Sequence, residues 1–152
     1  MKDFNELYLK FPVVLRNKLL NNDFQLPRGT KFQYEDIFAY RAVERTKEDN
    51  HEVSLTDFKS YFELGKSPKT PRGLNEQDCK NNPFYYGVSV FIDRKKVEQI
   101  MKFPNPKKKI AEGYVYSDGG PQHTREDGHV CWWLYEKADV SNFKLVEVNN
   151  EK

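Results

Sequence analysis

Phe84-Tyr85-Tyr86-Gly87-Val88-Ser89-Val90-Phe91-Ile92 is the most strand-like run in the chain. Aromatic and β-branched side chains dominate it, and these suit a pleated, half-buried surface. Asp93 follows at an N-cap position. Val97, Ile100 and Met101 then trace the apolar stripe of a helix that ends at Phe103-Pro104. Downstream, Pro104-Asn105-Pro106 reads as a turn, and strands are expected over 109–116, 129–135 and 143–148. A polar loop, 117–128, carries Gly119, Gly120, Pro121 and Gly128, and it reads either as a mobile lid beside a site or as an inert hairpin tip.

Upstream, residues 4–20 show a helical period interrupted at Pro12, which restarts a second helix. Ile37-Phe38-Ala39-Tyr40-Arg41-Ala42-Val43 is apolar on both sides, as in a strand with two covered faces. Ser54 or Thr56 is placed to cap a short helix through Phe58, Tyr61, Phe62 and Leu64, ended by Gly65. Residues 66–83 read as a long loop with Pro68, Pro71, Gly73 and Pro83. This order predicts an α+β fold: a small, mostly antiparallel sheet with an N-terminal helical segment and two short helices. The 152 residues suit one domain over 1–148, with a frayed tail at 149–152.

Composition narrows the function classes. Eleven Phe, nine Tyr and two Trp are too many for a disordered chain and build the core from rings. No apolar run approaches the ~18–20 residues of a membrane span, so no membrane partner is expected. The start of the chain lacks the apolar stretch of a secretory signal, and Cys79 and Cys131 read as free thiols, so a cytoplasmic location is expected. Net charge is only +2, but 93–109 holds seven basic residues against two acidic ones, leaving the rest of the chain at −3. Lysines on a solvated helix face explain that segment better than a nucleic-acid interface does.

Four residues stand out as candidates for chemistry. Arg41 is the one charge inside an apolar strand, so it needs either an ion pair, with Glu63, Glu136 or another acid, or an anionic ligand. His129 stands where the glycine-bearing loop enters a Trp-rich strand and can act as a general base or a substrate-orienting donor. Neither His123, Asp127, His129 nor Cys131 falls into zinc-ligand spacing, so no metal site is expected. In Val130-Cys131-Trp132-Trp133-Leu134-Tyr135-Glu136, alternation puts Val130, Trp132, Leu134 and Glu136 on one face and Cys131, Trp133 and Tyr135 on the other. Glu136 ends that strand and can pair with Arg41 or act on a ligand. Ser89 has no His or Asp at a recognisable spacing, which argues against a hydrolase triad. The two glycine loops match neither GxGxxG nor GxxxxGK[ST].

From Tyr86 the order of pieces resembles the carboxy-terminal half of small ADP-ribosyltransferase-like domains, including the RNA 2′-phosphotransferase family. Tyr86-Gly87-Val88-Ser89-Val90-Phe91-Ile92-Asp93, the basic helix, Lys109-Ile110-Ala111-Glu112-Gly113-Tyr114-Val115, Asp127-Gly128-His129-Val130, the Trp strand and Phe143-Lys144-Leu145-Val146 carry the likeness. The resemblance implies NAD or an ADP-ribose-type nucleotide bound in a cleft between two small sheets. Arg41 would hold a phosphate, Ser89 would support the ribose, and Glu136 would stabilise an oxocarbenium-like centre. Glu136 is not in a Glu-x-Glu or Gln-x-Glu motif, and the His pair of the phosphotransferases is not recoverable. The expected function is therefore an NAD/ADP-ribose-type nucleotide-binding protein, catalytic or not. The other reading is a non-catalytic accessory factor of phage or mobile-element type, binding a protein partner through exposed rings and the 66–83 loop.

Overall fold

A computed structural model describes residues 4–46, 48–49, 51–66, 72–73, 75–102 and 105–146. Its six strands are β1 Ile37–Glu44, β2 Val88–Phe91, β3 Lys108–Val115, β4 Gln122–Thr124, β5 His129–Trp132 and β6 Lys144–Leu145. They form one sheet in the order β4-β5-β2-β1-β3-β6, and every neighbouring pair is antiparallel. Among the described residues four α-helices accompany it: α1 Phe4–Tyr8, α2 Val13–Leu20, α3 Glu76–Lys80 and α4 Arg94–Met101. The expected α+β class with an antiparallel sheet is what forms.

The pleat sorts the side chains. One face of the sheet presents Ala39, Val43, Val88, Val90, Ala111, Val115, Val130 and Trp132, which pack with Val53, Phe58, Leu134, Val140 and Phe143. The opposite face is covered in two places. α4 lays Val97 and Met101 on Tyr40, Ala42, Phe91 and Ile110. Farther along, Phe11, Leu15 and Leu19 pack with Tyr86, Cys131, Trp133 and Tyr135. Leu15 and Leu19 are four apart and share one side of α2. The alternation expected over 130–135 therefore holds, with Trp132 in one layer and Trp133 in the other.

Local chemistry explains where the elements begin. Pro12 stands at the N-cap of α2, where its missing N–H costs nothing and its carbonyl accepts from Arg16 N–H. Asp93 caps α4 by accepting the Lys95 N–H, and Lys102 ends it in the left-handed region. Asn75 and Asp78 form a reciprocal capping box on α3, a helix inside what reads from sequence as loop.

Four other expectations are corrected. No α-helix spans 58–64; Ser54 and Asp57 cap a 3₁₀ turn, Leu55–Phe58, followed by turns. The strand expected from Phe84 begins only at Val88, because Pro83–Tyr86 forms a 3₁₀ turn capped by Asn82. Regular pairing of β5 stops at Trp132, before the expected 135, because Trp133 and Tyr135 bond instead to Pro121 and Gly119.

The lid reading is the fourth. Gly119, Gly120, Pro121 and Gln122 are buried, the Trp133 N–H donates to the Pro121 carbonyl, and the Tyr135 N–H donates to the Gly119 carbonyl. Gly120 adopts φ +136°, and a Cβ there would lie 2.0 Å from the Trp133 carbonyl oxygen. Small residues serve here to let two backbones meet rather than to let a loop swing. Ser117, Asp118 and residues 123–128 remain exposed or half-exposed. Of the expected strand 143–148, β6 takes Lys144–Leu145, and residues 147–152, the expected tail included, lie outside the described residues.

Candidate functional site

The sheet has a seam. β1 pairs with β3 over eight residues but meets β2 through the single register pair Tyr40↔Phe91. Three strands lie on either side. Arg41 bridges this seam from the main-core face: Nη1 donates to the Ser89 carbonyl at 2.8 Å and Nε donates to the Asp57 carbonyl at 2.8 Å. The guanidinium carbon stands 5.6 Å from the centre of the Phe58 ring. Burial lowers the Arg41 pKa to about 10, and Asp57 opposes that fall, so the group stays charged near neutrality. The ion pair expected between Arg41 and Glu63 or Glu136 is not what forms. Carbonyl oxygens take its donors, and Glu63 faces Lys59 at 3.9 Å instead.

On the other face, β2 and β5 pair Ser89 with Cys131 and Phe91 with His129. This register sets His129 diagonally beside Ser89, with Nε2 2.8 Å from the Ser89 Oγ. The imidazole lies on the Phe91 ring, centroids 4.9 Å apart and planes 20° from parallel. Two backbone bonds hold the turn below it: the His129 N–H donates to Asp127 Oδ1, and the Arg125 N–H donates to the His129 carbonyl. Burial depresses the His129 pKa below its usual 6.5, the Arg125 and His123 charges add to this, and Asp127 opposes it. The ring is therefore neutral at pH 7. Ser89 is exposed, so the pair faces solvent between the α4 cluster and the Trp133 cluster.

Three of the four candidates thus meet at one residue, Ser89: Arg41 on its carbonyl and His129 on its hydroxyl. Glu136 does not join them. It is exposed beyond the end of β5, its N–H donates to the Lys10 carbonyl, and it lines a shallow pocket with Phe58, Lys59, Glu63 and Leu134. It lies four residues past the end of β5, the strand whose Cys131 pairs with Ser89.

His123 pairs with Cys131, packs its ring edge-on against Phe84 at 5.5 Å, and leaves Nδ1 buried without a partner. Burial pushes the Cys131 thiol up to about 12, so it is neither a thiolate nucleophile nor a ready metal ligand. Among the described residues no group of three or more His, Cys, Asp or Glu side chains could hold a metal ion. No protein-family model, curated protein or solved structure matches the chain. No helix among the described residues is long and apolar enough to cross a membrane.

Sequence reasoning missed the Ser89–His129 contact because the partners are 40 residues apart. It also missed the most buried ion pair, Arg45–Asp57 at 2.7 Å. A local signal existed for half of that pair: Ser54 and Asp57 have capping-box spacing, which marks Asp57 as structurally engaged. In the basic segment, Arg94 pairs with Glu98 and Lys109 donates to the Asp49 carbonyl, while Lys95, Lys102, Lys107 and Lys108 are exposed, as on a solvated face.

Proposed function

We propose that the protein binds an NAD- or ADP-ribose-type nucleotide at the seam between its two three-stranded half-sheets, as an ADP-ribosyltransferase-like domain would. The observation that supports this reading is the meeting of Arg41, Ser89 and His129 at the seam. The solvent-facing hydroxyl–imidazole pair suits a ribose, and Arg41, on the opposite face with its donors on the Ser89 and Asp57 carbonyls, fixes the strand that carries the hydroxyl. The placement of Glu136 favours binding over glycosidic cleavage, because a carboxylate past the end of β5, lining a separate pocket, stabilises no charge developing at Ser89.

The reading is tested by thermal shift and calorimetry with NAD, ADP-ribose and simple nucleotides. A ligand at 100 times its Kd stabilises the fold by ~2.7 kcal/mol. Ser89→Ala and His129→Gln are expected to weaken binding about tenfold, the ~1.4 kcal/mol of one lost hydrogen bond, with the melting temperature unchanged. Saturating nucleotide without any shift overturns the reading.

A second reading, a protein-binding accessory factor, is favoured by a separate observation. Phe38 and Tyr114, 38% and 43% exposed, stand edge to face at 5.0 Å, and Tyr40 and Tyr116 extend the row. Loss of partner capture in Phe38→Ser/Tyr114→Ser, with nucleotide binding absent, is the result expected of that reading.

A further inference from the structure

We infer that Ser89 is a nucleophile and His129 its general base, so that the β2–β5 face carries an acyl-transfer site toward small, apolar esters. This stands apart from the nucleotide reading, since it needs only the dyad and its surroundings. Four observations carry it. The Oγ to Nε2 distance, 2.8 Å, is hydrogen-bond reach between a nucleophile and its base. Ser89 is exposed, so its oxygen is open to a reactant. The His129 ring is held by the Phe91 stack and by backbone bonds on both sides of the residue. The Ser89 backbone is held by the Arg41 guanidinium behind the sheet, which makes Arg41 a positioning residue. The neighbourhood suits an apolar acyl group: the Phe91 ring is stacked on the His129 imidazole, and Cys131 pairs with Ser89 across β5.

The chemistry balances with water as co-reactant. The Ser89 Oγ–H proton passes to His129 Nε2 as an Oγ lone pair forms the bond to the ester carbonyl carbon. The bond to the alcohol oxygen then breaks, and the leaving oxygen keeps the electron pair and takes the proton from the imidazolium. Water, deprotonated by the same nitrogen, then forms a bond to the acyl carbon, the bond to Ser89 Oγ breaks, and that oxygen takes the proton back from the imidazolium as the carboxylic acid leaves.

The test uses the full chain and an alkyl fluorophosphonate. The Ser89 oxygen displaces fluoride from phosphorus, forming a stable O–P bond, with the proton held first by His129. One adduct per chain, mapped to Ser89 by peptide mass spectrometry and absent from Ser89→Ala, is expected. His129→Gln should slow labelling about 10²–10⁴-fold. Circular dichroism checks that both variants keep the fold. The labelling rate should rise from acid to a plateau with a midpoint below 6.5, since burial and the Arg125 and His123 charges disfavour the imidazolium more than Asp127 favours it. Arg41→Lys should slow labelling without moving that midpoint. An unlabelled Ser89 in folded protein, or a rate indifferent to His129→Gln, overturns the inference. Nucleotide binding measured on the same samples reports separately on the reading above.

Discussion

Arg45 sits at the end of an apolar strand with its side chain 1% exposed, and Asp57 meets it with two hydrogen bonds, 2.7 and 2.8 Å. Arg45 also donates to the carbonyls of Glu44, His51 and Glu52, so every edge of the guanidinium is engaged. Breaking such a pair from one side leaves an uncompensated charge, so Asp57→Asn should cost about 3–5 kcal/mol in urea denaturation. Burial raises the Asp57 pKa, but the bonds from Arg45 and the Ser54 N–H and the Arg45 charge outweigh it, and the net pKa is lowered. A depressed carboxylate contributes stability above its unfolded pKa of about 3.9 and loses it as pH falls through the folded value. The wild-type protein should therefore destabilise steeply below about pH 4, and Asp57→Asn should show a shallower acid limb. A parallel acid limb in the variant would mean that other carboxylates dominate. From sequence, Arg45 is one charge among many polar residues, and only folding shows which acid reaches it.

At the scale of single elements, α4 is where sequence and structure agree most closely. Asp93, Val97 and Met101 do what their spacing implies, a cap and two buried anchors, 1% and 3% exposed, whereas Ile100, the third residue of the expected stripe, is 60% exposed. Met101→Ala should cost about 2–5 kcal/mol by opening the space over Tyr40 and Ile110. Asp93→Ala should cost ~1 kcal/mol through the lost cap. Both are read from urea midpoints at unchanged slope, and a Met101→Ala cost below 1 kcal/mol would show that this cluster collapses without penalty. The elements that sequence missed share a trait: their stability is not local. β4 is three residues, Gln-His-Thr, with no strand composition, and it forms because β5 supplies its hydrogen bonds. The 3₁₀ turn at Pro83–Tyr86 replaces an aromatic run that reads as strand, because Trp133 Nε1 donates to the Pro83 carbonyl and Tyr86 Oη donates to the Lys80 carbonyl.

Across the whole molecule, both faces of one sheet carry cores, and neighbouring residues 132 and 133 belong to opposite layers. The layers should unfold together, so far-UV dichroism and Trp fluorescence should give coincident transitions. The backbone crossing at Gly120 ties the layers to each other. Gly120→Ala should destabilise by about 2–5 kcal/mol, from the positive φ and the clash with the Trp133 carbonyl, and should lower both transitions equally. Separate transitions in the variant would mean that the layers are independent units.

The chain's own pattern determined the α+β class, the positions of β1, β3 and α4, the helix break at Pro12, and which side of β5 each ring occupies. These rest on periodicity and capping, which act over a few residues. It also singled out Arg41 and His129, each for its own reason, while Ser89 entered through the resemblance alone. Only the tertiary structure decided that they meet at one residue and that Glu136 stands apart. Strand register did this: pairing Phe91 with His129 brings an imidazole to a hydroxyl 40 residues away, and a shift of one residue would send it to the opposite face.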